Sequence, residues 1–346
     1  MTRPKPMVWL AAILYVFATV NAMQFYIVTT RPWLDTARYF GGLERLPFQE
    51  RVFPIPFLKL LGHIASSVRF LRSGNGVFTE TLFGPFFLSL VSFFIASIFV
   101  VMLYRSVSRT RQLSAIVAPI FLALTLATYV IRSSANYFYP YDMPALAFFA
   151  AGLFFIYERK FLLLLLVILI GTSNRETTLF LIGIYMLDAA AASPAEEHQA
   201  LPAGASSLRW SQIPWLRTLC LVIVWLAVKI FLAHQFAGND RSEDYLRFRE
   251  NLHRLSPRLW PTLFDLCGYL LPVVFIYRKK LASTRIAAWL LIAPPWIVAM
   301  FFVGVITETR IYGELVPLVA VASTLLLEEH LVQGPSNGST APRAVH

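Results

Sequence analysis

The stretch 161–187 reads FLLLLLVILIGTSNRETTLFLIGIYML, in which two apolar runs flank a polar centre containing Asn174, Arg175 and Glu176. The first run supplies about a dozen residues, or roughly 20 Å of helix at 1.5 Å per residue, and the second run is shorter. Because the hydrocarbon core of a bilayer is about 30 Å thick, neither run spans it alone. We therefore predict a hairpin of two short helices near 161–188, with the polar centre at the turn.

The polar centre of this stretch predicts a functional site. Non-helical backbone at membrane depth is tolerated only where protein buries it or a wet cavity touches it, so we expect the turn to face a cavity that opens outward. The alternative is one continuous tilted helix with a buried Arg175–Glu176 neighbour pair. Ionisable residues inside a membrane indicate function in either case.

The rest of the chain has the composition of a polytopic membrane protein. Hydrophobic residues make up 57% of it and charged residues 14%, with a mean hydropathy of +0.62. A window of about 19 residues locates further apolar segments. They lie near 8–28, 82–104, 114–131, 142–157, 213–233, 260–277, 286–306 and 312–328. We predict an all-α polytopic membrane protein of about eight spanning helices plus the hairpin, with one transmembrane domain over 1–330 and a flexible cytoplasmic tail over 331–346.

The distribution of basic residues predicts the orientation. The short loops 105–111 and 278–285 contain basic residues and no acidic ones. The N-terminal segment before the first helix is also basic, through Arg3 and Lys5. Short loops rich in Lys and Arg remain in the cytoplasm, so both termini are expected there. The formal net charge of +11 is therefore a feature of membrane orientation and does not indicate a nucleic-acid partner.

Familiar catalytic and metal-binding patterns are absent from the sequence. Cys220 and Cys267 lie in separate apolar segments, and the six histidines lack metal-ligand spacing. The chain has no Gly-Lys-Ser/Thr loop, no GxGxxG fingerprint and no GxSxG elbow. We predict no metal site and no cofactor, and the sequence leaves a divalent-metal requirement open.

Four polar clusters fall on the outer side in this topology. They are the first outer loop RPWLDTARYFGGLERLPFQERVFPIP (31–56), the turn IRSSANYFYPYDMP (131–144), the hairpin turn and the late segment ITETRIYGEL (306–315). We expect their side chains to line one cleft, namely Asp35, Glu44, Glu50, Arg51, Tyr141, Asp142, Arg175, Glu176, Glu308 and Arg310. Each residue alone also has a structural alternative, such as helix-end solvation for Asp35 or helix capping for Asp142.

Two further outer segments are expected to lie near this cleft. After Pro54 and Pro56, apolar residues recur at helical spacing with Lys59 and His63 on the other face, which predicts a helix lying in the membrane interface. The mixed-charge loop 234–259 is predicted to be either a lid over the cleft or a solvated surface loop.

Several short motifs resemble those of bacterial integral-membrane proteins of the glycosyltransferase-C superfamily. They are an acidic residue soon after the first helix, LPFQERVFPIPFL, YPYDMPAL, SNRETTLF and ETRIYGELVPL. The resemblance implies an enzyme of the bacterial inner membrane that transfers a sugar from a polyprenyl-phosphate donor, with inversion, on the extracytoplasmic side. It implies that Asp35 is the catalytic base and that the late Arg-aromatic-Pro pattern corresponds to Arg310, Tyr312 and Pro317. The chain departs from the family in having Thr36 after Asp35, where many members have a second acid.

The chemistry of glycosyl transfer assigns roles to these residues. A carboxylate accepts the proton of the attacking hydroxyl, and arginine holds the departing phosphate. We predict catalytic roles for Asp35 and Glu176. Substrate or phosphate binding is predicted for Arg51, Tyr141, Asp142, Arg175, Glu308, Arg310 and Tyr312. The expected partners are the polyprenyl-phosphate-linked sugar and the bilayer.

Two other functions remain open. The first is a transporter or flippase for a lipid-linked sugar, since broken helices with charges also build transporter sites. The sequence shows no internal repeat, however, and its polar clusters gather at the outer surface. The second is a non-catalytic membrane scaffold, which does not require four converging clusters of acids and arginines.

Overall fold

A computed structural model describes residues 6–68, 71, 77, 79–131, 136–191, 208–281 and 283–332. Within this part of the chain, five helices are long and apolar enough to cross a membrane: Met7–Thr29, Phe83–Val107, Trp215–Gln235, Thr284–Val303 and Thr309–Leu331. The prediction of a multi-pass α-helical protein is confirmed in this form. The count of about eight spans is not, because Val117–Tyr129, Asp142–Tyr157 and Phe161–Thr172 are shorter apolar helices.

The elements follow in chain order. The α-helices are α1 Pro6–Thr29, α2 Thr36–Phe40, α3 Pro54–Ser67, α4 Phe83–Val107, α5 Val117–Tyr129, α6 Asp142–Tyr157, α7 Phe161–Thr172, α8 Leu179–Ala191, α9 Trp215–Gln235, α10 Phe248–His253, α11 Trp260–Leu263, α12 Leu270–Ile276, α13 Thr284–Trp289, α14 Ala293–Val303 and α15 Val316–Val332. The strands β1 Arg31–Pro32 and β2 Tyr137–Phe138 pair in parallel. Short 3-10 turns include Phe48–Glu50, Glu176–Thr178 and Thr309–Leu315.

Helix α6 lies at the centre of the bundle. It is apolar on every face, and nearly all of its side chains are buried, as expected for a helix that has no solvated stripe. Its long neighbour α4 turns small buried residues inward, including Ser89, Ser92 and Ala96. Small side chains let helix backbones approach closely. In a bilayer no hydrophobic effect drives helices together, so this close packing stabilises their association.

The predicted hairpin is present. Helix α7 ends at Thr172, and α8 begins at Leu179 after a turn in which Asn174 Nδ2 donates to the carbonyl of Tyr141 at the start of α6. At the far end of α8, Asp188 accepts from Arg285, which also donates to the carbonyl of Tyr157 at the end of α6. Helix α7 therefore runs against α6, and α8 returns alongside it.

The stretch 260–277 differs from the single helix expected there. Two short helices, α11 and α12, are separated by backbone in the left-handed region at Cys267, Gly268 and Tyr269, with φ of 51°, 63° and 64°. This conformation is incompatible with a continuous right-handed helix.

The predicted helix after Pro54 is present as α3. Its large apolar side chains at Phe57, Leu60 and Ile64 are exposed, whereas Leu58 and Ala65 are buried. Its location in the membrane interface stays a prediction. Arg3, Lys5, residues 192–207 and the part of the predicted flexible tail from 333 onward lie outside the described residues.

Candidate functional site

A cleft of about 710 Å³ lies where four distant parts of the chain meet. Its wall takes residues from the first outer loop, the β2 strand, the hairpin turn and the segment after α14, and the loop 243–254 contributes from a further side. This volume is within the range of ordinary ligand sites. The polar and aromatic lining residues include Trp33, Phe48, Arg51, Tyr139, Arg175, Glu176, Trp225, Arg247, Glu308 and Arg310.

Three buried arginines form the charged side of this cleft. Arg51, Arg175 and Arg310 are 7%, 5% and 6% exposed. Burying a guanidinium is costly unless carboxylates or hydrogen bonds compensate for its lost hydration, so each arginine needs partners in the fold.

Those partners come largely from the turn 139–142, at the start of α6. Tyr141 Oη accepts a 2.7 Å hydrogen bond from Arg51, and the ring of Tyr139 lies 4.0 Å from the Arg310 guanidinium carbon. Asp142 is fully buried, and its Oδ1 lies 3.5 Å from Arg175 and 3.7 Å from Arg310. One tight turn therefore positions all three arginines.

Two of these arginines retain unused hydrogen-bonding capacity. Arg175 pairs with Glu314 at 2.8 Å, and Arg310 pairs with Glu308 at 2.6 Å. Nevertheless, the buried Nε of Arg175 and the buried Nε of Arg310 make no hydrogen bond to any described residue. Buried donors are rarely left unpaired, so these two guanidinium groups have hydrogen-bonding capacity that the described residues do not use.

The two carboxylates on the cleft wall differ in how they are engaged. Both oxygens of Glu176 receive hydrogen bonds from Arg51, at 2.8 Å and 3.4 Å. Glu308 uses Oε2 for Arg310, while its Oε1 contacts no hydrogen-bonding partner within the described chain. Glu308 thus has one oxygen available to a ligand.

Aromatic side chains beside the arginines form an aromatic wall of the cleft. Trp33 lies 4.5 Å from Tyr137, and Phe48 stacks on Tyr139 at 5.4 Å, both measured between ring centroids. Trp225 donates its indole N–H to the Glu176 carbonyl. Aromatic faces present flat apolar surface beside polar edges, which suits a ligand with alternating C–H and hydroxyl groups.

The loop 234–259 contributes residues to the cleft wall, and its action as a lid stays a prediction. Asn239 donates to the carbonyls of Gly42 and Glu44, which ties this loop to the first outer loop. Arg247 pairs with Glu243 at 2.6 Å, and a hydrogen bond from Tyr245 holds the pKa of Glu250 below its ordinary value.

Asp35 lies apart from this cleft. It is exposed, and its Oδ1 accepts from the backbone N–H groups of Ala37 and Arg38 as the N-cap of α2. It is not among the residues that line the cavity. The structural alternative was that Asp35 solvates the end of the first helix, whereas it caps the next helix, α2. This position gives no support to the predicted catalytic role.

Other predicted residues lie behind the cleft wall. Glu44 is buried beside Arg45, and Glu50 pairs with Lys229. Tyr312 packs in the hydrophobic core. Of the predicted set, the cleft wall brings together Arg51, Arg175, Glu176, Glu308 and Arg310, while Tyr141 and Asp142 support it from beneath.

The sequence pattern indicated neither Glu314 nor the aromatic wall as part of the site. Glu314 is 1% exposed and lies inside the predicted apolar segment 312–328, so the rule for ionisable residues in membranes was a sufficient signal for it. The aromatic wall depends on β1 pairing with β2, and no local pattern predicts that pairing.

Among the described residues, no group of three or more His, Cys, Asp or Glu side chains is placed to hold a metal ion. Comparison with protein families, characterised proteins and solved structures gave no match. The functional interpretation therefore rests on the geometry of the cleft.

Proposed function

We propose that the protein is a membrane glycosyltransferase that moves a sugar from a polyprenyl-phosphate donor to an acceptor on the extracytoplasmic side of the bacterial inner membrane. The carrying observation is the cleft in which Arg175 and Arg310, each with an unpaired buried Nε, face the carboxylate of Glu308 and an aromatic wall. The resemblance to the glycosyltransferase-C superfamily agrees with this proposal.

The donor's phosphate binds between Arg175 and Arg310. Guanidinium groups hold phosphate through paired charge-assisted hydrogen bonds and stabilise the charge that develops as the phosphate leaves. The sugar ring lies against the aromatic wall. The prenyl chain extends into the bilayer. The exposed apolar side chains of the helices contact the same bilayer.

Glu308 is the general base in this mechanism. Its free Oε1 accepts the proton of the acceptor hydroxyl while the oxygen of that hydroxyl forms a bond to the anomeric carbon. The bond from the anomeric carbon to the phosphate oxygen breaks, and the lipid phosphate departs with the electron pair. A single displacement of this kind inverts the anomeric centre.

Donor binding also prepares the base. Glu308 is held by Arg310 at 2.6 Å in the ligand-free cleft. A phosphate that binds Arg310 competes for the same guanidinium and weakens this ion pair, which leaves the carboxylate free to accept the proton of the acceptor hydroxyl. Glu176 is fixed by Arg51 and acts in positioning the cleft wall.

A matched pair of variants tests this mechanism. Glu308→Gln removes a carboxylate inside the cleft, and Asp35→Asn makes the same kind of change outside it while preserving an N-cap residue of similar quality. Purified protein in nanodiscs is supplied with a panel of radiolabelled polyprenyl-phosphate sugars and a membrane acceptor fraction. Sugar transfer and release of polyprenyl phosphate are measured together.

We expect the parent protein and Asp35→Asn to transfer sugar at similar rates. Glu308→Gln should bind the donor but transfer it about 10²- to 10⁴-fold more slowly, the usual cost of losing a general base. Slow sugar transfer by Asp35→Asn together with normal transfer by Glu308→Gln would show that Asp35, and not Glu308, is the general base. Translocation of a sugar lipid across vesicles without any transfer would refute the enzyme and support the transporter.

A further inference from the structure

A second cavity of about 490 Å³ lies behind the aromatic wall of the cleft. The short β1–β2 ribbon and the residues after it separate the two spaces. Trp33, Tyr137 and Tyr139 line the cleft, whereas the alternate residues Leu34, Phe138 and Pro140 line the second cavity. This alternation follows from the extended backbone, in which successive side chains point to opposite faces.

The second cavity has an apolar interior and a charged rim. Leu34, Tyr39, Phe40, Leu58 and Phe138 contribute apolar surface. The rim is polar and contains side chains of both charge signs, which are Thr36, Lys59, His63, Ser66, Glu80 and Thr81. An apolar interior with a few polar groups at its mouth fits an amphiphilic molecule.

Helix α3 lines one side of this cavity and also has an exposed apolar face. Lys59 and His63, four residues apart and therefore on one face, lie on the cavity rim. Leu60 and Ile64 on an adjacent face are 59% and 45% exposed apolar side chains. Gly62 lines the cavity on the side of Lys59 away from Leu60 and Ile64, and a Cβ added there would meet no atom within 4 Å. The space beside Gly62 is therefore open to part of an acyl chain.

We propose that this cavity binds a phospholipid with an ethanolamine head group. Lys59 and His63 bind its phosphate, Glu80 binds its ammonium group, and the apolar interior takes the first part of an acyl chain. This binding site lies outside the cleft and does not depend on the proposed glycosyl transfer.

The two signs of charge at the rim select the head group. A glycerol head has hydroxyl groups that can donate to Glu80, but it has no cation, so no ion pair forms and the charge of the lipid phosphate near the Glu80 carboxylate stays uncompensated. A choline head matches the charges, but its quaternary ammonium has no N–H to donate to the Glu80 oxygens. An ethanolamine head supplies both the phosphate and three N–H donors, which make charge-assisted hydrogen bonds.

Native mass spectrometry of the full chain tests the proposal. The protein is delipidated in detergent and offered equal amounts of phosphatidylethanolamine, phosphatidylglycerol and phosphatidylcholine with identical acyl chains. We expect the ethanolamine lipid to be retained about tenfold more strongly than the other two, the ratio for roughly one charge-assisted hydrogen bond. Equal retention of the three lipids, or preference for the glycerol lipid, would refute the proposal.

Variants assign the binding to this cavity. Glu80→Gln should reduce retention of the ethanolamine lipid relative to the glycerol lipid, and Lys59→Ala should weaken retention of all three. Gly62→Leu places a side chain in the cavity, where its Cβ meets no atom within 4 Å, and should remove the selective adduct. Lys279→Ala, an exposed lysine outside the cavity, is the matched control and should leave the profile unchanged. Unchanged selectivity in both Glu80→Gln and Gly62→Leu would place the lipid elsewhere.

Discussion

At the scale of single residues, Asp142 connects the packing of α6 to the charge of the cleft. It has no exposed surface, accepts a hydrogen bond from Tyr26 and lies between Arg175 and Arg310. A carboxylate in this position stabilises two buried guanidinium groups that the site requires. In the proposed mechanism Asp142 is therefore a positioning residue, whereas Glu308 and the arginines would contact the donor.

Removing this charge should destabilise the fold. Asp142→Asn keeps the shape of the side chain but leaves two buried guanidinium groups with less compensation, which costs roughly 3–5 kcal/mol for a broken buried pair. Thermal unfolding in detergent, followed by tryptophan fluorescence, measures the change. Asp35→Asn is the matched control and should unfold at the parent temperature. Equal unfolding temperatures for the two variants would show that Asp142 is not needed to balance the arginines.

Gly313 is a second residue whose identity is dictated by packing. A Cβ at this position would overlap the ring of Tyr129, which is fully buried and cannot move aside. Gly313→Ala should destabilise the protein by about 1–3 kcal/mol, the usual cost of overpacking. Gly238→Ala is the control, since its Cβ would meet no atom within 4 Å. An unfolding temperature for Gly313→Ala equal to that of the control would contradict the close approach of Tyr129.

At the scale of elements, the hairpin is fixed at both ends by polar contacts. Asn174 holds its turn against the start of α6, and the Asp188–Arg285 pair holds the end of α8 near the end of α6. The Asp188 carboxylate also accepts from the indole of Trp289. These contacts give α7 and α8 a defined direction although neither is long enough to be positioned by the bilayer alone.

A double-mutant cycle tests the inner attachment. Asp188→Leu leaves Arg285 buried without its carboxylate and should cost roughly 3–5 kcal/mol. Adding Arg285→Met removes the unpaired charge, so the double variant should recover much of the loss. Unfolding temperatures of the single and double variants measure the coupling. Additive losses would contradict a buried pair at this end of the hairpin.

The sequence predicted those elements whose cause is local. Apolar runs long enough for the bilayer predicted α1, α4 and α9, and the shortness of each run around Asn174 predicted the hairpin. Hydropathy did not predict the break in 260–277, because the mean hydropathy of the segment is high although Gly268 and Pro272 both disfavour a continuous helix. Hydropathy reports composition, whereas the conformation of these residues depends on tertiary contacts.

At the scale of the whole molecule, orientation is the prediction that the charge distribution makes most directly. Single cysteines at the exposed positions Arg109 and Lys279 should be protected from a membrane-impermeant maleimide, and one at the exposed position Arg241 should react. Cys220 and Cys267 are first replaced by serine to remove the native thiols. Labelling at position 109 or 279 in intact cells, or failure at 241, would overturn the topology.

The candidate site was predictable where a charged residue is unusual in its surroundings. Arg175, Glu176 and Arg310 were selected because they interrupt apolar sequence, and all three line the cleft. Asp35 was selected by resemblance, and the structure places it in a solvated helix cap. The separation of the cleft from the second cavity by the β1–β2 ribbon could not be predicted, since it results from pairing between segments far apart in the chain.

A structure with a phosphonate analogue of a polyprenyl-phosphate sugar, determined by electron cryomicroscopy with a bound antibody fragment, tests the central claim most directly. We expect the phosphonate oxygens within about 3 Å of the Arg175 and Arg310 guanidinium groups, the usual hydrogen-bond distance. The sugar should lie on the aromatic wall with Glu308 beside the anomeric carbon. A phosphonate bound away from both arginines, or an anomeric carbon that faces Asp35 with the cleft empty, would contradict the account.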